Sequence, residues 1–179
     1  SCTSLCSVTI GANVAATGSD AFRDCYALTN ATIGSAVTSI GSNAFDSCTS
    51  LTSITIPDSV SIIERAAFTQ AGLITVTIGA NVTTIGDYAF SRCYSLTGVT
   101  IPDSVTGIGN WAFDRCSSLE NATISANVTS IATNMFSSCT NLASVTIPDS
   151  VITIGHHAFS GCHDLASVTL GTNVTVIED

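Results

Sequence analysis

Apolar and polar positions along this chain recur every 23 residues, with one step of 22. Leucines mark the repeat at Leu5, Leu28, Leu51, Leu73, Leu96, Leu119, Leu142 and Leu165. The short step falls at Thr69-Gln70-Ala71-Gly72, where one residue is missing. Self-similarity at such a period is the mark of a solenoid. After each Leu, apolar residues alternate with polar ones, as in Ser53-Ile54-Thr55-Ile56 and Gly98-Val99-Thr100-Ile101. Period-two alternation rich in β-branched residues predicts a short strand with one face inward. One such strand per turn, all in the same direction, makes a parallel sheet.

The solvent side of these strands carries Thr at every turn: Thr9, Thr32, Thr55, Thr77, Thr100, Thr123, Thr146 and Thr169. At a strand spacing of about 4.8 Å the row is roughly 35 Å long. It reads as β-propensity and solubility, or as a recognition surface. The strand ends at a turn. Three turns read Ile-Pro-Asp-Ser-Val, at Pro57, Pro102 and Pro148. In four others Gly or Ser replaces Pro and Asn precedes the Val, at Asn13, Asn81, Asn127 and Asn173. From the third turn onward the two versions alternate. Pro stops a ladder, and Asn, Asp or Ser bonds local backbone. A Val and, three residues on, an Ile (Thr17 in the first turn) predict a second extended segment.

A short helical turn is then expected around Phe22, Phe45, Phe68, Phe90, Phe113, Phe136 and Phe159, which are all the Phe of the chain. Burial of such side chains is worth roughly 1.5–3 kcal/mol each, so this column is the expected core ladder. Three residues after Phe comes Cys25, Cys48, Cys93, Cys116, Cys139 or Cys162, with Cys2 in the same column and Ala71 filling the slot in the shortened repeat. Interchange with Ala is the behaviour of a small buried hydrophobe, so free thiols are expected. Cys6, outside the column, has only Cys2 as a candidate partner.

The 179 residues are 45% hydrophobic and 9% charged, with a net charge of -9. There is no Lys, and the only Arg are Arg23, Arg65, Arg92 and Arg115. No basic stripe exists to replace counterions, which excludes nucleic-acid binding and attraction to anionic membranes. No apolar run reaches the length of a membrane-spanning helix, so membrane insertion is not expected. The expected organisation is one domain over 1–179 with about eight repeats. Neither end carries an atypical capping repeat, so the expectation is an uncapped piece of a longer array, whose exposed sheet edges could pair with other copies.

The pattern Leu-x-x-Ile-Thr-Ile-Pro-x-Ser-Val-x-x-Ile-Gly-x-x-Ala-Phe-x-x-Cys, in register at Leu96, Val99, Ile101, Pro102, Val105, Ile108, Gly109, Ala112, Phe113 and Cys116, resembles the BspA-like, or Treponema pallidum type, leucine-rich repeats. The resemblance covers essentially the whole chain. It implies an α/β fold: a right-handed horseshoe solenoid with its parallel sheet on the concave face. Short extended segments and helical turns would lie on the convex side. It also implies extracellular, cell-surface proteins of host-associated organisms, some of them adhesins for host proteins. It carries no catalytic residues.

The residues themselves point to no enzyme. His156, His157 and His163 crowd the last full turn, but the nearby Cys162 is a core-column residue, without the base and orienting partner that a nucleophile needs. A zinc site from these histidines is weaker than the reading of solvated loop histidines, and no cofactor is expected. Carboxylates are scattered over turns, without a recurrent close pair for acid–base work. Repeat-breaking positions are more telling. Two before Phe lie Tyr88 and Trp111, and two after it Arg92 and Arg115, on neighbouring turns with Tyr94 close by. Aromatic plus Arg is the composition of interface hot spots. The plainer reading is surface decoration. The sharper one is a patch for a host or matrix protein. Two other readings stand beside an adhesin-like scaffold: a structural surface spacer without a ligand, and an ice-binding protein using the Thr row. Of five Asn-x-Thr sites, Asn30 and Asn121 are the better glycan acceptors, because Asn81, Asn127 and Asn173 occupy turn slots where their side chains bond backbone.

Overall fold

The protein, here as a computed structural model, is described over residues 2–179. It is a parallel β-solenoid of about seven turns. Eight strands of three residues line one face: Ser7–Thr9 (β1), Asn30–Thr32 (β2), Ser53–Thr55 (β4), Thr75–Thr77 (β6), Gly98–Thr100 (β8), Asn121–Thr123 (β10), Ser144–Thr146 (β12) and Ser167–Thr169 (β14). Strands of two residues line a second face: Ser39–Ile40 (β3), Ile62–Ile63 (β5), Thr84–Ile85 (β7), Gly107–Ile108 (β9), Ser130–Ile131 (β11), Thr153–Ile154 (β13) and Val176–Ile177 (β15). Every ladder is parallel and keeps the repeat in register, as in Ile54 with Val76 and Ile40 with Ile63.

The core is built from columns. Leu28 through Leu142, Val37 through Val151 and the internal Phe are shut away from solvent. The Phe rings stack from Phe22 to Phe159 at centroid separations of 5.2 to 5.8 Å. The missing residue is absorbed at Gly72. Its N–H bonds the Cys48 carbonyl at 3.1 Å, and an added Cβ would overlap the carbonyl oxygen of Thr49.

The expected helical turn around Phe does not form, and no residue described is helical. Two residues per turn, four apart, hold the left-handed backbone: Asn43 and Ser47 at φ 53° and 61°, Tyr88 and Arg92 at 58° and 59°, Trp111 and Arg115 at 55° and 58°. A left-handed residue in each stretch of four interrupts the i to i−4 bonding of a helix. The amides alternate instead. Ala44, Asp46 and Cys48 donate to Gly41, Asn43 and Phe45 of their own turn at 3.1 to 3.3 Å. Asn43, Phe45 and Ser47 donate to Arg65, Ala67 and Thr69 of the next turn at 2.8 to 3.0 Å. Half the coil is thus stitched along the solenoid axis, which a helix would not permit.

The Cys column does more than fill space. The thiol of Cys48 donates to the Phe22 carbonyl, and Cys93, Cys116, Cys139 and Cys162 donate to Phe68, Phe90, Phe113 and Phe136, all at 3.1 to 3.2 Å. All eight cysteines are free, with Cys2 and Cys6 exposed. Burial pushes the Cys48 and Cys93 thiols up to about 12, raises Cys116 and Cys139 strongly, and raises Cys162.

The first-strand face is not one continuous sheet. It consists of the pairs β1–β2, β4–β6, β8–β10 and β12–β14. The alternating turns bind the last three of these pairs. Asp58, Asp103 and Asp149 accept the amides of Ala80, Ala126 and Thr172 through Oδ1 at 2.7 to 3.1 Å. In return, Asn81, Asn127 and Asn173 donate Nδ2 to the carbonyls of those same Asp residues at 2.7 to 2.9 Å. Glycine lets two of these turns close up: a Cβ at Gly79 would sit 2.5 Å from the Pro57 oxygen, and Gly171 is equally tight against Pro148. Each Pro-Asp turn therefore clamps the Asn turn that follows it. The clamp also occupies the Asn81, Asn127 and Asn173 side chains with backbone.

Two outcomes are expected. Phe113→Ala should cost about 3–5 kcal/mol in denaturant unfolding, because rings above and below prevent collapse of the gap. Alkaline pH should also destabilise the fold. The column thiols ionise above about pH 8.5 in the unfolded chain but stay protonated much higher when folded. Their contribution is therefore complete below that value and falls as pH rises through it. Cys93→Ala and Cys116→Ala should flatten the decline measured between pH 8 and 11.

Candidate functional site

The left-handed positions of the coil turn their side chains outward, so the repeat leaves them free to vary. On consecutive turns they hold Tyr88 and Trp111, whose rings stack at 5.1 Å and 4°. The guanidinium of Arg65 caps the other face of Tyr88 at 5.4 Å. A bulky side chain at positive φ is uncommon and costs of order 1–3 kcal/mol, so two of the three stacked groups, Tyr88 and Trp111, are held against the local backbone preference. A cleft of about 270 Å³ opens beside the stack, lined by Arg65, Thr69, Tyr88, Ser91, Arg92 and Asp114 among others.

The electrostatics are mixed. Three of the four Arg in the chain, Arg65, Arg92 and Arg115, lie on three neighbouring turns. Arg92 makes no ion pair among the described residues, whereas Arg115 Nε lies 3.8 Å from Asp114. Asp114 is buried and takes a long 3.5 Å bond from Ser91. Asp46, also at the cleft, has its pKa raised chiefly by burial, partly countered by the Ser47 hydroxyl and by Arg23, whose Nε lies 3.3 Å away. Cation–π contact, an unpaired guanidinium and half-buried aromatic edges suit a protein partner. They supply neither a nucleophile nor a proton relay.

The structure brings Tyr88, Trp111, Arg92 and Arg115 onto one side of the coil. Of these, Tyr88 and Arg92 line the cleft, whereas Trp111 and Arg115 lie outside it, as does Tyr94, which is half exposed. Sequence reasoning missed Arg65, Asp46 and Asp114. Arg65 sits one residue before the variable column, and the signal was its neighbour: Ala66 fills the aromatic slot with a methyl group. The eight Thr of the first-strand face are all exposed. At the far end His156 lies 3.5 Å from Glu178, and the His156 and His157 rings are 6.4 Å apart. Among the described residues no group of three His, Cys, Asp or Glu side chains is placed to hold a metal, and no helix is long and apolar enough to cross a membrane.

If the stack serves recognition rather than folding, Trp111→Asn should leave the melting temperature within about 3 °C of the parent. Asn43 and Asn134 hold the equivalent position at the same φ of 53°. A loss well beyond that would make Trp111 a scaffold residue.

A family model described as BspA type leucine-rich repeat region matches residues 1–97 and 62–179 in six copies. Among solved structures, a leucine-rich repeat protein from Bacteroides ovatus is 30% identical with a TM-score of 0.90, over 96% of this chain and 48% of that one. The Treponema pallidum leucine-rich repeat protein is 30% identical with a TM-score of 0.83, over 89% and 78%. The pneumococcal vaccine antigen PcpA, at 19% identity and a TM-score of 0.59 over 96% and 53%, shares the fold. This chain spans about half the length of the Bacteroides ovatus protein. A comparison with curated proteins finds no match.

Proposed function

The chain belongs to the BspA-type leucine-rich repeat family, and from that premise we propose that it is a non-enzymatic, cell-surface scaffold that binds a host or matrix protein through the patch around Tyr88, Trp111, Arg92 and Arg115. The observation that carries this reading is the Arg65–Tyr88–Trp111 stack, set beside an unpaired Arg92 on an otherwise acidic molecule. Variable positions of the repeat elsewhere hold small or polar residues such as Asn43, Ala66, Ser47 and Ser138. Concentrating the large side chains and the cations on adjoining turns gives the solenoid one distinctive place. Adhesion and extracellular display are part of the same proposal. The pneumococcal neighbour of the same fold is described as a vaccine antigen.

A spacer with no ligand would gain nothing from that concentration. Ice binding needs a flat, evenly spaced array, and the hydrogen-bonded ladder beneath the Thr row breaks at every second step.

The test uses immobilised fibronectin, fibrinogen, laminin and collagen. The chain is expected to bind at least one of them, and Trp111→Asn/Arg115→Ser should weaken that binding at least tenfold. Both replacements copy residues that other turns carry in the same slots. No binding to any of the four, or binding unaffected by the double variant, would overturn the patch as the site.

A further inference from the structure

The pairing of strands leaves three seams in the first-strand face. Within a pair, the Ile that follows the first strand donates to the Thr that ends the second: Ile10 to Thr32, Ile56 to Thr77, Ile101 to Thr123 and Ile147 to Thr169, at 2.8 to 2.9 Å. Between pairs the equivalent bonds, Ile33 to Thr55, Ile78 to Thr100 and Ile124 to Thr146, are not made, although at the start of the β6–β8 seam Thr97 donates its N–H and its hydroxyl to the Ile74 carbonyl at 3.2 and 3.3 Å. All of these Ile side chains are buried: Ile10, Ile33, Ile78 and Ile124, each followed by Gly or Ser, are 8% exposed, and Ile56, Ile101 and Ile147, each covered by the Pro that follows, are 1% exposed. A cleft opens at each seam, of about 350 Å³ between β2 and β4, about 480 Å³ between β6 and β8, and about 350 Å³ between β10 and β12. Pro57, Pro102 and Pro148 stand at their mouths.

We infer that these three seams are binding slots for a linear neutral polysaccharide lying along the solenoid axis. Each slot offers the backbone groups left by one missing Ile-to-Thr bond together with Thr, Ser or Asn side chains, so donors and acceptors are interleaved. Hydroxyl groups, which donate and accept at once, satisfy such a lining. The three-residue strands carry no charged residue to pair with an ionic polymer, and the net charge of -9 repels a polyanion. The lining has no deep side-chain pockets and no long open strand edge, the two features by which sheets read extended peptides. The slots recur every second strand, about 10 Å apart by strand spacing. A β-1,4-linked glucan also presents the same face at every second sugar. Individual slots are open to solvent and bind weakly alone, and three in line gain through effective concentration.

The probes are hydroxyethyl cellulose in affinity electrophoresis and cellohexaose in calorimetry, with dextran and casein as comparators. The chain should be retarded by hydroxyethyl cellulose and should bind cellohexaose. Thr55→Arg/Thr100→Arg/Thr146→Arg, with an unchanged circular dichroism melt, should weaken both at least tenfold. Trp111→Asn/Arg115→Ser should leave both unchanged, which separates this site from the coil patch. Absence of retardation by hydroxyethyl cellulose, equal retardation by dextran or casein, or binding indifferent to the three Arg substitutions would overturn the proposal. Should the triple variant not fold, Thr100→Arg alone, in the widest slot, is the variant to read, with a threefold loss expected and no loss contradicting the proposal.

Discussion

Everything in this molecule follows from hydrogen bonding between successive turns. A coil without helices has no internal partner for many of its amides, and buried amides must be satisfied. Here the partner is the next turn: Phe45 N–H to Ala67, Phe68 N–H to Ala89, Phe90 N–H to Ala112. That requirement locks the register, and register places identical side chains one above another. The Phe stack, the Leu and Val columns and the thiol-to-carbonyl ladder are consequences of it. The Cys column shows how finely it acts: a residue small enough for the core also carries a weak donor that reaches a carbonyl one turn back.

Much of the fold was legible because the periodicity repeats the same information at every turn. The Leu steps, the Val–Thr–Ile alternation and the Phe column located both strands and the core. The helical turn was misread for a physical reason. An Ala-Phe segment with apolar residues three apart looks helical, but the sequence does not announce a left-handed backbone when the residue in that position is Tyr88, Trp111 or Arg92 rather than Gly. Asn43 and Asn134 in the same column were the available hint. The alternation of Pro-Asp and Asn turns was visible in the chain. Its meaning was not, because the Asp58–Ala80 and Asn81–Asp58 bonds join residues 22 and 23 apart.

The candidate site was legible in part. Departures from the repeat pointed to Tyr88, Trp111, Arg92 and Arg115, since a position that the scaffold does not need is free to serve a partner. Arg65 escaped because it lies beside the variable column rather than in it, and Asp46 and Asp114 because burial is a property of the folded coil. The Thr row was read as uniform, whereas the hydrogen-bonded ladder beneath it breaks at every second strand.

Alternating turns clamp three of the four strand pairs, and seams lie between one pair and the next. Native-state amide hydrogen exchange tests this grouping most directly. The account predicts that the amides of Ile56, Ile101 and Ile147 exchange only with large-scale opening, while those of Ile33, Ile78 and Ile124 exchange at least a hundredfold faster. Equal protection across the six would contradict it and would make the first-strand face one continuous sheet.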